Sequence, residues 1–219
     1  MKMETEQVFE NIPAEENSKA LQLVQYLSEK AINGVGPLSS AESLAQEYLI
    51  DKSYKDDDAR VKSLINWEIS KNFTTGFITG LGGLITLPVT IPASLGASWI
   101  IQARMTAAIA KIYGHDITED RVKTMILLTL VGQSIEEVVK VAGVDFGKKL
   151  TLAAINKLPG SVCKKINAWV GFRLLTKAGE KGVINLTKLV PVVGGIVGGI
   201  VDVASCKIIA KVAITNFRK

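Results

Sequence analysis

The longest stretch without a charged residue lies in the middle of the chain and limits what the chain can fold into. It runs from Asn72 to Ala103 and includes "GFITGLGGLITLPVTIPASLG" at residues 76–96. A transmembrane helix needs about 20 consecutive apolar residues, so the stretch is long enough to cross a bilayer. Pro88 and Pro92 interrupt it, because each proline disfavours helix at the preceding residue. The sequence therefore predicts a helical hairpin here. A buried core that also touches lipid is favoured over stable insertion in a membrane and over a core alone.

Two segments combine apolar residues with closely spaced glycines and prolines. Residues four apart share one face of a helix, and glycine on that face lets another backbone approach closely. This spacing suits a tight helix pair in a soluble core as well as a helix pair in a membrane. The charge-free part of the second segment, Leu189 to Val201, is too short to span a bilayer. The residues of this predicted structural motif are Gly80, Gly82, Gly83, Pro88, Pro92, Pro191, Gly194, Gly195, Gly198 and Gly199.

The spacing of apolar residues is helical along nearly the whole chain, and no series of alternating strands and turns is evident. Ser39 and Glu42 have the spacing of a capping box, which predicts a helix start. Asp56–Asp58 precede another helical pattern, where carboxylates interact favourably with the helix dipole. We predict an all-α fold, a multi-helix bundle with two glycine-rich apolar helical hairpins. Residues 1–58 form an acidic N-terminal helical region, and residues 59–219 form a helical domain.

Charge is distributed unevenly along the chain, whose formal net charge is +5. Residues 1–71 hold 8 basic and 13 acidic residues, whereas residues 148–219 hold 13 basic and 2 acidic residues. A basic and apolar half indicates an anionic partner, which is either a lipid surface or a nucleic acid. Its few aromatic residues are not interleaved with the basic ones, and no nucleic-acid-binding motif is evident. We therefore expect anionic membrane lipid as the partner and no nucleic acid.

The C-terminal helical pattern carries the predicted lipid contacts. At 100° per residue, Lys207, Lys211 and Arg218 fall on one stripe of the helix. A helix with this pattern can lie on an anionic surface, where each basic residue adds about 1 kcal/mol. Trp99 and Phe77, in the charge-free stretch, are the predicted apolar contacts. The alternative is that the stripe is only the solvated face of a packed helix.

One acidic residue continues the glycine row of the second segment. Asp202 lies on the same face as Gly194 and Gly198, which predicts a polar group at a helix contact. A buried carboxylate needs a compensating partner. Arg104 is the candidate partner, so Arg104 and Asp202 form the predicted buried polar pair.

The residues that could carry chemistry are few. His115 is the only histidine, and its neighbourhood with Asp116 and Asp120 is more typical of a turn and a helix start than of a metal site. No Gly-x-Ser-x-Gly motif accompanies it, and the glycine cluster lacks the Lys-Ser/Thr of a phosphate loop. Cys163 and Cys206 match no zinc spacing and are predicted to be reduced core residues. The sequence predicts no catalytic residue, metal or cofactor, and a non-catalytic function is favoured.

Several segments together resemble the bacterial EcsC family over roughly residues 60–217. They are "TGLGGLITLPVTIPASL", "IAKIYGHD", "KLVPVVGGIVGGIVD" and "AKVAITNF", in this order. Many relatives carry an acidic residue between the two prolines, where this chain has Thr90. The resemblance implies a bacterial, all-α, membrane-associated protein, and it implies no catalytic residues.

These observations predict a cytoplasmic protein that binds anionic lipid at the inner face of the bacterial membrane. The N-terminal sequence "MKMETEQVFENIPAEENSK" is acidic and lacks the apolar region of a signal peptide, which favours a cytosolic start. Two other functions fit the same pattern, namely a membrane-perturbing, pore-forming effector and a soluble lipid carrier or adaptor. The sequence leaves open whether the protein also binds a membrane protein and whether it forms an oligomer.

Overall fold

A computed structural model describes residues 13–72, 75–132, 139, 152–178 and 197–218. No strand occurs in these ranges, where the only β-pairing is one isolated bridge between Val35 and Leu38. The all-α prediction is therefore confirmed. The helices are α1 (Ala14–Asn33), α2 (Ala41–Ile50), α3 (Asp57–Asn72), α4 (Thr75–Leu84), α5 (Ala93–Ile112), α6 (Asp120–Thr129), α7 (Leu152–Ile155), α8 (Gly160–Ala178) and α9 (Val197–Phe217).

Helix α5 is the centre of the bundle. It contacts α1, α2, α3, α4, α6 and α9, and every residue from Gly96 to Ala110 is buried. A helix that is apolar on all sides is stable in water only when other elements surround it. Residues 96–103, the last part of the charge-free stretch, are thus part of the core of the protein.

Helix α4 and the link 85–92 pack against α5 through glycines. A Cβ atom on Gly82 would lie 3.2 Å from the carbonyl carbon of Ala93, and one on Gly96 would lie 2.7 Å from the Leu87 side chain. A Cβ atom at Gly82 would require the backbone at the start of α5 to give way by a few tenths of an ångström, and one at Gly96 would require the Leu87 side chain to move. The close approach that glycine permits is therefore used within this chain at these two positions.

No helix in the described ranges combines the length and the apolar character needed to cross a membrane.

The N-terminal helices share one hydrophobic core with the later helices. Helix α1 packs on α8 and α5, and the core cluster extends from Leu23 to Phe217. At the α1–α8 contact the backbone of Ala20 lies so close to Gly171 that no side chain fits there. The core therefore contains residues from both sides of the division at residue 58, whose status as a domain boundary stays a prediction.

The starts of α2 and α3 differ in how well the sequence predicted them. Ser40, rather than Ser39, caps α2, because its Oγ accepts a hydrogen bond of 3.0 Å from the amide of Ser43. The prediction of Ser39 as the cap was wrong by one residue, since Ser39 binds Arg104 instead. At α3, Asp56 accepts a hydrogen bond of 2.8 Å from the amide of Ala59, as expected for a carboxylate at a helix start.

Two contacts fix the direction of α9 along α5. The sulfur atoms of Cys206 and Met105 lie 3.7 Å apart, and His115 Nε2 lies 2.7 Å from the carbonyl oxygen of Phe217. The ten residues from Met105 in α5 to His115 in the turn after it thus run in the same direction as the eleven residues from Cys206 to Phe217 in α9. The two helices are parallel, and the C-terminal end of α9 lies beside the turn that follows α5.

Candidate functional site

The exposed face of α9 is the most distinctive surface of the predicted lipid-binding half. Its exposed residues recur every three or four positions, which is one face of a helix. Ile208 is 42% exposed and lies between two exposed lysines. Within the described ranges, neither lysine has an acidic partner. The face consists of Ala204, Lys207, Ile208, Lys211, Thr215 and Arg218.

The opposite face of α9 is packed against the bundle. Cys206, Ile209, Ala210, Ala213 and Phe217 are buried there. This packing holds the helix in one rotation, so the lysines project outward without any rearrangement. Ile208 shares this exposed face with the lysines, although the predicted basic stripe did not include it.

Arg218 is the one basic residue of this face whose charge is already paired. Its guanidinium forms an ion pair with the carboxylate of Asp58, which also accepts a hydrogen bond of 2.7 Å from the Tyr113 hydroxyl. Burial, and after it the charges of Asp57 and Asp56, raise the pKa of that hydroxyl. The tyrosine therefore stays a neutral donor, and Arg218 ties the end of α9 to α3.

The predicted apolar contacts fall elsewhere. Trp99 lies on α5 and is only 7% exposed, so it belongs to the core in this structure. The side chain of Phe77 lies outside the described residues. Neither residue lies on the exposed face of α9.

The glycine and proline motif is described only in part. Gly80 and Gly83 are exposed with open space at the Cβ position, and Leu84 beside them is 64% exposed. Pro88 and Pro92 are exposed in the link, and Pro92 directly precedes α5. These residues form an uncharged surface at the start of α5. Of the second segment, Gly198 and Gly199 lie in the first turn of α9, and Pro191, Gly194 and Gly195 lie outside the described residues.

Arg104 is buried in the core, and its charged partner is Glu68. Arg104 Nη1 lies 2.9 Å from Glu68 Oε2, and the two side chains are 5% and 3% exposed. Two further hydrogen bonds, of 2.6 and 2.8 Å, run from Arg104 to the carbonyl and hydroxyl oxygens of Ser39. The side chain of Asp202, the partner that the sequence suggested, lies outside the described residues. The ion pair joins α3 to α5 and the loop before α2, which is a structural role.

Glu68 was missed from the sequence, although a signal was present. It continues the buried stripe of Val61, Leu64 and Ile65 at helical spacing. A carboxylate on an apolar stripe must be buried, so it needs a cation in the core. This periodicity would have identified Glu68 as the partner of a core arginine.

The residues around His115 have separate roles. His115 bonds the end of α9, and Asp116 accepts hydrogen bonds of 2.9 and 2.7 Å from the amide and hydroxyl of Thr118. These two bonds lower the pKa of the Asp116 carboxyl group. Asp120 starts α6. In the part of the chain that the structure describes, no group of three or more His, Cys, Asp or Glu residues could hold a metal ion.

Comparisons with known proteins give one match. The profile of the EcsC protein family matches residues 2–219, which extends the resemblance to the N-terminal helices that sequence inspection left outside it. No curated protein and no solved structure matches the chain.

Proposed function

Because this chain belongs to the EcsC protein family, we propose that it is a non-catalytic protein that binds anionic membrane lipid through the exposed face of α9. One observation carries the proposal. Lys207, Ile208 and Lys211 are exposed together on a helix whose opposite face is packed in the core. We place this contact at the inner face of the bacterial membrane, with the protein otherwise in the cytoplasm.

The chemistry of this face suits the headgroup region of an anionic bilayer. Each lysine near such a surface contributes about 1 kcal/mol, and the attraction weakens as salt screens it. Ile208 lies between the lysines and would bury part of its side chain among the lipid headgroups. Arg218 contributes less than the lysines, because Asp58 neutralises its charge.

A second, apolar contact is available at the uncharged surface around Leu84. This surface lies at the start of α5, whereas Lys207 lies beside its middle. The parallel packing of α9 on α5 places the two about 20 Å apart along the bundle, at 1.5 Å per residue. Both could touch one flat membrane only if the bundle lay along it. Salt-resistant binding would be the signature of this apolar contact.

Vesicle co-flotation tests the proposal. The double variant Lys207→Gln/Lys211→Gln should bind anionic vesicles about 30-fold more weakly than the unchanged protein, from the loss of about 2 kcal/mol. The matched control Lys52→Gln/Lys62→Gln removes the same charge from exposed positions outside α9 and should bind like the unchanged protein. Equal binding by all three proteins would contradict the assignment to α9.

The apolar contact has its own test. Flotation that persists at high salt and is lost in Leu84→Ser would assign binding to the Leu84 surface. If high salt abolishes the flotation of the unchanged protein and of Leu84→Ser alike, the exposed face of α9 would be the only membrane contact.

A further inference from the structure

A cavity of about 400 Å³ that is largely open to solvent lies between α2 and α3, and no residue of α9 lines it. Its volume falls within the roughly 300–1,000 Å³ typical of small-molecule sites. The walls come from the last turn of α2, from the loop that follows it and from α3. The lining residues are Glu47, Tyr48, Asp51, Tyr54, Ser63 and Trp67.

Three aromatic side chains form one part of this wall. The ring centroids of Tyr48 and Tyr54 are 6.0 Å apart, with the ring planes inclined at 36°. The hydroxyl oxygens of Tyr54 and Ser63 lie 2.9 Å apart, and this hydrogen bond fixes the Tyr54 ring. Trp67 follows Ser63 by one turn of α3, lines the cavity and is 55% exposed.

Two carboxylates form the other part of the wall. Glu47 lies in the last turn of α2, Asp51 directly follows the helix, and both are exposed. The hydroxyl and amide of Ser53 hydrogen-bond to Asp51 and lower the pKa of its carboxyl group, which keeps it ionised. Among the described residues, no lysine or arginine nitrogen lies within ion-pair distance of either carboxylate.

The neighbouring guanidinium of Arg60 compensates this site only in part, since its charge lowers the pKa of the Asp51 carboxyl group less than the Ser53 hydrogen bonds do. Arg60 donates one hydrogen bond of 3.0 Å to the carbonyl of Tyr48 and forms an ion pair of 2.9 Å with Asp57. The Arg60 charge therefore acts on both Asp57 and Asp51. The two carboxylates of the cavity together still carry more charge than this one guanidinium.

The geometry points to a binding site for an alkylammonium cation, of which trimethylammonium is the simplest probe. A cation is attracted to an aromatic face within about 6 Å of the ring centroid. Tyr54 is half-buried and Trp67 is 55% exposed, so a cation in the cavity can approach these two rings, whereas Tyr48 is only 9% exposed and packs beside Tyr54. Aromatic faces do not coordinate a small divalent metal ion, which requires several oxygen ligands. A weakly hydrated organic cation uses both the rings and the carboxylates.

Choline is the first probe. Its binding to the full chain is measured by saturation-transfer NMR, which detects the methyl signal of choline. Choline should bind, and its neutral isostere 3,3-dimethylbutanol should bind at least tenfold more weakly. Glycine betaine should also bind more weakly than choline, because its carboxylate meets Glu47 and Asp51. Absence of choline binding, or equal binding of the neutral isostere, would overturn the assignment.

Variants locate the binding in this cavity. Trp67→Ala should weaken choline binding about three- to thirtyfold, the range expected for one cation–π contact, whereas Trp67→Phe retains an aromatic face. Glu47→Gln/Asp51→Asn should also weaken it, whereas Glu16→Gln/Glu29→Gln changes two exposed carboxylates on α1 and should have no effect. Unchanged affinity in Trp67→Ala and in Glu47→Gln/Asp51→Asn would place choline elsewhere and overturn the assignment.

The cation could come from a free metabolite or from a lipid headgroup, and flotation separates the two sources. Flotation with neutral phosphatidylcholine vesicles that free choline displaces would assign the site to a headgroup. Choline binding without such flotation would assign it to a free cation. Either of these two results supports the site. If the protein neither binds choline nor floats with phosphatidylcholine vesicles, the assignment is overturned.

Discussion

The ion pair between Arg104 and Glu68 gives the sharpest prediction for stability. The substitution Glu68→Gln removes the negative charge but keeps a side chain of nearly the same shape. Arg104 would then be left as an uncompensated charge at 5% exposure. Removing one partner of a buried pair costs about 3–5 kcal/mol. Because the glutamine oxygen can still accept a hydrogen bond and Ser39 still accepts two, we expect the lower end of that range.

Urea unfolding followed by circular dichroism measures this loss. We expect the free energy of unfolding of Glu68→Gln to fall by about 3 kcal/mol, equivalent to a decrease of roughly 6–12 °C in Tm for a chain of this size. Glu16→Gln makes the same chemical change at an exposed position of α1 and should stay within about 0.5 kcal/mol of the unchanged protein.

A double-mutant cycle isolates the interaction itself. Arg104→Met leaves Glu68 without its cation, whereas Glu68→Gln/Arg104→Met leaves no buried charge from this pair. The double variant should therefore be more stable than the sum of the single losses predicts, by about 2–3 kcal/mol. The reasoning is refuted if the losses in free energy of unfolding of the two single variants add up to the loss of the double variant. It is also refuted if Glu68→Gln is as stable as Glu16→Gln.

Two further predictions concern backbone packing and alkaline pH. Gly171→Ala should destabilise the protein by about 1–3 kcal/mol in urea unfolding, because its Cβ would lie 2.2 Å from the carbonyl oxygen of Ala20. The exposed Gly83→Ala should instead stabilise α4 by about 0.5–1 kcal/mol, and a stable Gly171→Ala would disprove the close contact. Burial, then Glu68, raises the pKa of Tyr48 to about 12. Since the unfolded chain loses this proton at lower pH, stability should fall between about pH 10 and 12. The fall should be smaller in Tyr48→Phe, and an equal fall in that variant would contradict the assignment.

The sequence predicted the fold class and several helix boundaries because those depend on local chemistry. Helical spacing predicted the all-α fold, and the carboxylates of Asp56–Asp58 predicted the start of α3. Ser39 and Ser40 show the limit of local reasoning. Either serine could cap α2, and the choice depends on Arg104, which is 65 residues away and takes Ser39 as an acceptor.

The sites depend on tertiary contacts that no local pattern contains. The cavity joins Tyr48 and Tyr54 to Trp67 across two helices and a loop, so their separation in sequence conceals it. On α9, the periodicity indicated a basic stripe, but the exposure of Ile208 follows from which face packs on α5 and α6. The sequence of α9 alone does not determine which of its faces packs on the bundle.

The most direct test of the lipid-binding proposal asks whether the exposed face of α9 touches the bilayer. A polarity-sensitive fluorophore is attached to Ile208→Cys, and to Leu21→Cys on α1 as the matched control, since both positions are exposed. Cys163 and Cys206 are buried, so brief labelling of the native protein modifies the introduced cysteine. We predict that anionic vesicles with a quencher on the lipid quench the probe at position 208 but not at position 21. Equal quenching at both positions, or none at 208 while the protein floats with the vesicles, would contradict binding through α9.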